Sequence, residues 1–418
     1  MVSERPFCWQ RSLLVCLISM LFGSYQFFLQ GSTAFMVSEL TSDLQTGLTE
    51  IGFLSSSFLY TYLLFQLPGG YLADRVNLRV LLVCGCLLMA FACWWFSVAE
   101  NLMDAMVARG LMGIATSPAI VVSMTLVSRW FPSSWFPAMV GLVESLCLIG
   151  GAVGPFILPE LIGHIGWRST MAILSGFGVL LACLVFLLVR SAPSQSFLPA
   201  DPTPDIKAVS GNKGYIRLIR NADFWLCCLY GFGMFSIMVC FCCLWGVPFI
   251  KAQFPANPDQ AVWMISLIYL GCAIGAPIMG GVASIMGDYR IVMTLAALSS
   301  LILSGCIIYL SCTFWIMATA CFLLGITIGG YMLVFTAVKQ ISPSGVAGLG
   351  MAAVNGCLLL GGPVLQPLVG SILSVRGKGC SDALTAIDYQ WALLPVIICQ
   401  LMAFAVTFFL TGRKAVPQ

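Results

Sequence analysis

Two ionisable side chains stand alone inside long apolar runs. Glu144 sits in GLVESLCLIGGAVGP and Arg109 in ARGLMGI. A charge within hydrocarbon costs about 2.5–3.5 kcal/mol on insertion scales, so such a residue needs a cavity, a partner or a function. A carboxyl deprived of water can load a proton on one side and release it on the other as access alternates. The competing reading for Glu144 is a structural partner for an arginine or a helix N-terminus. A guanidinium can bind a substrate anion or carboxylate, or order a proton relay. The competing reading for Arg109 is snorkelling to the interface. Gly113, Thr116 and Ser123 share its helical stripe, which makes that face small and polar and favours a cavity. Glu144 shares a stripe with Gly151 and Pro155. The two charges enter from opposite sides, and a rise of about 1.5 Å per residue leaves about 10–15 Å of depth between them.

Uncharged polar side chains mark the same interior. Ser19, Gln26, Gln30 and Thr33 lie close to one stripe, with Tyr25 beside it. Buried amides need hydrogen-bond partners, so this face should look at water or substrate, or else bond a neighbouring helix. Asn355 and Gln366, eleven residues apart, repeat the pattern, and Tyr331 follows Thr327 by four. Tyr230, Trp245 and Tyr269 are aromatic candidates for a pocket wall; aromatics also serve as core or as an interfacial belt.

Membrane-crossing helices must position these residues. The 418 residues are 60% hydrophobic and 8% charged, against about 25% charged in soluble domains. A span needs roughly 20 apolar residues, and the runs have that length without the alternation of a β-barrel. Charges and Pro/Gly clusters divide the chain into twelve candidate spans, at 12–35, 50–72, 79–98, 103–127, 137–159, 168–189, 224–250, 261–285, 290–310, 314–337, 346–373 and 390–411. With the N-terminus in the cytoplasm, 14 of the 19 Lys and Arg residues fall on the cytoplasmic side. Arg168, Lys251, Arg376 and Lys378 fall outside, and Arg109 within a span. This bias supports the span count and places both termini inside. The first span lacks a small-residue cleavage site and is long enough to stay in the membrane.

A Pro-, Ser- and charge-rich segment at 191–222 reads as a cytoplasmic linker ending in an amphipathic surface helix. It separates residues 1–190 from residues 223–418, six spans each. The halves echo each other: GGYLADRVNLR (69–79) and GGVASIMGDYR (280–290) align at an offset of 211, with Asp74 facing Ile285. The expected fold is an all-α membrane protein, twelve transmembrane helices in two six-helix bundles related by a pseudo-two-fold axis along the membrane normal. Its shared site would lie between the bundles. Most of the 19 cysteines fall within spans, where Cys acts as a small apolar residue; Cys380 alone lies in an outer loop. With one histidine, His164, no metal site is expected, and no cofactor, phosphate-binding loop or nucleic-acid arm is visible.

Three motifs carry a family resemblance. G-x(3)-D-R-x-G-x-x-R after the second span resembles the signature of the major facilitator superfamily, with Gly70, Asp74, Arg75 and Arg79 in place. Asn77 stands where the family has Gly, and is the next best residue if the position needs φ > 0. Leu78 replaces a common basic residue. ARGLMGI resembles the family's R-x-x-x-G segment, giving Arg109 and Gly113. The fifth span resembles G-x(8)-G-x(3)-G-P, giving Gly141, Gly150, Gly154 and Pro155 as helix-packing positions. The runs around YQFFLQGSTAFMVSEL and RWFPSSWFPAMVGL lean toward bacterial organic-anion symporters and the amino-acid and nucleoside importers of intracellular pathogens.

The resemblance implies a bacterial inner-membrane transporter, not an enzyme. It would import a small polar organic solute with protons by rocking one bundle against the other, with membrane lipids around a monomer. Gly70, Asp74, Arg75 and Arg79 would latch the cytoplasmic mouth. A proton-coupled exporter of drugs or metabolites is the alternative, since the span 5 motif is commonest in antiporters. The solute is not readable from the sequence.

Overall fold

The computed structural model describes residues 9–131, 136–190, 211–255, 260–310, 313–343, 347–377 and 384–410. Its elements are helical throughout. The first half contains α1 (Trp9–Gln30), a short connecting α2 (Val37–Asp43), α3 (Leu48–Arg75), α4 (Leu78–Ser97), α5 (Leu102–Thr116), α6 (Ala119–Trp130) and α7 (Phe136–Leu188). After α8 (Gly211–Ile219) come α9 (Ala222–Ser236), α10 (Gly246–Gln253), α11 (Gln260–Met286), α12 (Tyr289–Tyr309), α13 (Phe314–Ile328), α14 (Leu333–Ile341), α15 (Ala347–Leu359), α16 (Gly361–Arg376), α17 (Ala386–Ala392) and α18 (Leu394–Thr407).

Ten helical stretches among the described residues are long and apolar enough to cross a membrane, and the α17–α18 pair, bent by 42°, adds an eleventh. The twelfth is hidden in α7. At about 1.5 Å per residue its 53 residues would run about 80 Å, far beyond a bilayer of about 30 Å. Gly166, at φ 77° and ψ 161°, breaks it. Ser24 donates to the Leu146 carbonyl and its neighbour Tyr25 to that of Leu174, so both arms of α7 lie along α1. The chain therefore turns back within α7. Spacing predicts an eight-residue loop at 160–167; the structure needs little more than one glycine, and His164 pairs with Glu160 one helical turn away at 2.8 Å.

Several spans are broken, and the breaks match between halves. Span 4 divides into α5 and α6 at Ser117–Pro118, and span 10 into α13 and α14 through a 3-10 turn at Gly329–Met332. Span 7 joins α9 to α10 through a nine-residue π-helix, Ile237–Trp245. A π-helix is rare and marks functional sites, because its wider turn displaces the regular carbonyl partners. Elsewhere backbones touch directly. A Cβ on Gly150 would strike the Ser24 carbonyl, and one on Gly271 or Gly325 would strike the other helix of the α11–α13 pair. Such contacts are how small residues pack helices in lipid.

The aligned stretches 69–79 and 280–290 do the same local job. Asn77 Oδ1 accepts from the Arg79 N–H at 3.0 Å, and Asp288 Oδ1 from the Arg290 N–H at 2.9 Å, each capping the next helix. Asn77 is extended (φ −60°, ψ 119°), so its place is explained by capping and not by positive φ. Residues 191–210 of the expected linker and the outer-loop Cys380 lie outside the described residues, as do the side chains of Asp74 and Arg75.

Candidate functional site

Two ends of the molecule can be compared. The far end carries the connections after odd-numbered spans, including α2 and Gly166. The terminal end carries those after even-numbered spans, including Asn77 and Asp288.

The far half of the molecule is sealed between the bundles. On α3, Thr49 meets Ser374 of α16 through its backbone N–H (3.2 Å) and its hydroxyl (3.1 Å). Two turns deeper Ser56 donates to the Gly362 carbonyl (3.1 Å) and Gln366 Oε1 (3.0 Å), and a further turn on Tyr60 donates to the Pro363 carbonyl (2.8 Å). Gln366 knots this seam to span 7: its Nε2 donates to the Val239 carbonyl at 2.5 Å, inside the π-helix, while its own carbonyl accepts from Trp245 Nε1 at 3.0 Å. Between α7 and α11, Phe156 and Trp263 meet edge to face at 4.8 Å, and nearer mid-depth Ser145 donates to the Ala273 carbonyl. Gln30 reaches Cys243 of span 7 at 3.8 Å. At the terminal end Gly70, Gly280 and Gly281 have nothing within 4 Å of where a Cβ would stand.

At mid-depth, below the seal, Tyr331 donates a 2.5 Å hydrogen bond to Glu144 Oε1 across the boundary between the halves. Tyr331 is buried and its ring packs on Phe235, with centroids 4.8 Å apart, so the hydroxyl is held in place. Glu144 keeps partial exposure although it lies within a span. Near it stand Tyr62 of α3 and, beside Tyr62, Gln26. Gln26 Oε1 is buried and has no hydrogen-bond partner among the described residues. Tyr269 lies over Gly151 and bonds Cys243 at 3.3 Å. Glu144, Tyr331, Gln26, Gln30 and Tyr269 thus belong to one central region, at the meeting of spans 1, 5, 7, 8 and 10.

Other expected residues are committed elsewhere in this conformation. Arg109 has no exposed surface. Its Nη1 donates to the Leu29 carbonyl at 2.9 Å and its Nη2 to the Gln30 carbonyl at 3.0 Å, while Phe58 covers the guanidinium. These carbonyls end α1, where no next helical turn supplies donors. Arg109 therefore holds the end of span 1 in place. Tyr25 bonds the Leu174 carbonyl, and Tyr230 reaches the Met293 and Gly330 carbonyls (3.3 and 3.4 Å), each inside its own bundle. Trp245 and Gln366 belong to the seal. Asn355 is half-buried on α15 with no hydrogen bond among the described residues. Gly154 makes ordinary contacts with Phe28, and Gly141 and Pro155 lie in α7. Among the described residues no three His, Cys, Asp or Glu side chains are grouped to hold a metal ion.

Sequence reasoning missed Tyr62, Thr49, Ser56, Cys243 and Ser374. One signal was present. Thr49, Ser56 and Tyr60 follow helical spacing on one face of a span, and a Ser55–Ser57 run is costly in hydrocarbon unless another helix receives it.

Comparison with known proteins follows this geometry. The chain is similar over 279 residues, at 25% identity, to a nitrite extrusion protein of Bacillus subtilis, which covers 66% of each chain. It is 24% identical over 169 residues to a hexuronate transporter of the same species, 40% of this chain and 39% of that one. It is 29% identical over 140 residues to a D-galactonate transporter of Escherichia coli, about a third of each. Its fold matches a bacterial homologue of the human lysosomal transporter Spinster, in an inward-facing and unoccupied conformation (TM-score 0.73, 15% identity, 96% of this chain and 97% of that one). It also matches the nucleoside transporter NupG (TM-score 0.74, 13% identity, 95% and 100%). The family model of the Major Facilitator Superfamily matches residues 14–246, more than half of the chain. With twelve spans in two bundles and a polar cluster at their meeting, the chain belongs to the Major Facilitator Superfamily of membrane transporters.

Proposed function

We propose that this protein is a secondary active transporter that imports a small polar organic solute together with protons, by alternating access between two six-helix units (1–190 and 223–418) joined by the 191–222 linker. The observation that carries this reading is the Glu144–Tyr331 hydrogen bond. It sets one partly exposed carboxyl at mid-depth and ties it to the opposite half. Protonation of Glu144 removes the charge that strengthens this bond, so proton load and the relative position of the halves are linked. The Lys and Arg bias puts the terminal end in the cytoplasm. The conformation is then inward-facing, with the seal toward the exterior.

The relatives' names, which cover nitrite, hexuronate and galactonate, support a small anion as solute, with an organic acid favoured. Arg109, behind the end of span 1, supplies the positive charge for the anion, and Gln26, Gln30 and Asn355 supply neutral donors. Asp74, Arg75 and Arg79 close the cytoplasmic mouth in the outward-facing state. The membrane is the bacterial inner membrane. Export has two observations in its favour, the span 5 motif and the likeness to a protein named for extrusion. Right-side-out vesicles offered labelled candidate acids from outside, under an imposed pH gradient, decide the matter. Accumulation driven by outside acidity is expected; its absence together with extrusion reverses the direction, and indifference to pH removes proton coupling.

A further inference from the structure

At the terminal end a depression of about 510 Å³ opens where α8 meets α9, lined by Ile216, Arg217, Arg220 and Asn221. Helix α8 is short and amphipathic, with basic and apolar residues side by side. Its Leu218 is buried, close to Gly350 of span 11, while Ile216 is 46% exposed. The next helix presents Trp225, 49% exposed, whose indole N–H is tied to the Ile219 carbonyl at 2.7 Å. Such an indole is at home at headgroup depth. Arg217 and Arg220 are three residues apart and so share a face. Neither makes an ion pair or side-chain hydrogen bond among the described residues, unlike Arg168, Arg290 and Arg376. Asn221 Oδ1 is spent on the Asp223 N–H, which leaves its amide hydrogens for a ligand.

We infer that this depression binds the phosphate of an anionic phospholipid, held by Arg217, Arg220 and the Asn221 amide, with the acyl chains lying against Ile216 and Trp225. Guanidinium pairs match phosphate oxygens in number and geometry. Free phosphate has the same head chemistry, but the exposed Ile216 and Trp225 beside the two arginines favour a ligand with a tail. The site lies away from the Glu144 region and does not depend on the transport reading.

Native mass spectrometry of the full-length protein, titrated with phosphatidylglycerol or phosphatidylcholine, tests the site. Phosphatidylglycerol should be retained preferentially. Replacing Arg217→Gln and Arg220→Gln together should remove one tightly held lipid, with affinity falling about fivefold for each arginine. Arg217→Lys with Arg220→Lys should keep much of it. Should the double glutamine variant melt early in phosphatidylcholine, the single variants carry the test. Equal retention by wild type and glutamine variants overturns the proposal. Displacement of the lipid by inorganic phosphate at matched concentration overturns the choice of lipid over a free anion.

Discussion

The Tyr331 hydroxyl lies 2.5 Å from Glu144 Oε1, and the two residues are 187 positions apart, one in each half of the molecule. A hydrogen bond to a charged group contributes about 1.5–3 kcal/mol, more than a neutral one. Losing it changes the balance between inward- and outward-facing states. Tyr331→Phe should therefore slow coupled transport by about tenfold or more, whereas Glu144→Gln should abolish accumulation against a gradient yet allow solute exchange. Proteoliposome uptake, with and without a pH step, separates the two. Undiminished proton-driven accumulation by Glu144→Gln would remove the carboxyl from the coupling.

Gln366 touches three elements of the seal at once, through Ser56, Val239 and Trp245. Each neutral hydrogen bond contributes about 0.5–1.5 kcal/mol. Gln366→Leu should open the far end more often, by about tenfold. Cys243 sits behind the seal and is buried, so its labelling by an impermeant thiol reagent from the far side reports the opening. A Cys243→Ser control identifies its signal among the other cysteines. An unchanged labelling rate would show that the seal stands without Gln366.

Arg109→Lys should be destabilising despite keeping the charge. A lysine ammonium cannot span the Leu29 and Gln30 carbonyls as the planar guanidinium does. About 1.5–3 kcal/mol is expected from each charge-assisted bond lost. Thermal unfolding in detergent reads this loss, and a wild-type midpoint would contradict the positioning role of Arg109.

Outside the membrane, Asp43 receives the Trp167 indole N–H at 2.9 Å and the Arg168 guanidinium on the same oxygen. These bonds, Trp167 first, hold its carboxyl below the usual carboxylate range. The group is partly exposed, which limits its weight. A depressed pKa stabilises the fold above the unfolded value of about 3.9 and ceases to do so as pH falls through the folded value. Acid unfolding monitored below about pH 4 should therefore lose one contribution in Asp43→Asn relative to wild type. Superimposable acid limbs would count against it.

Much of the architecture was legible because lipid leaves few alternatives. Apolar length sets the spans. The doubled GG-x(8)-R stretch announced the repeat, and both copies cap a helix. Glu144 was legible because an isolated acid in hydrocarbon is costly. Its partner was not, since nothing local distinguishes Tyr331 from Tyr230, which closes on carbonyls of its own bundle. Gln366 and Arg109 read as cavity residues because their types suit a cavity. What decides their use here is a backbone left wanting donors, by a π-helix in one case and a helix end in the other. Such a need arises only when distant helices meet.

The glycine contacts between α11 and α13 leave no room for those two helices to slide past each other. They behave as one plank. Trp263 is fixed to its outer portion, and Tyr331 follows directly from the end of α13. A tilt that parts Trp263 from Phe156 carries the Tyr331 phenol with it, so opening the far end and straining the bond to Glu144 are geared to one another.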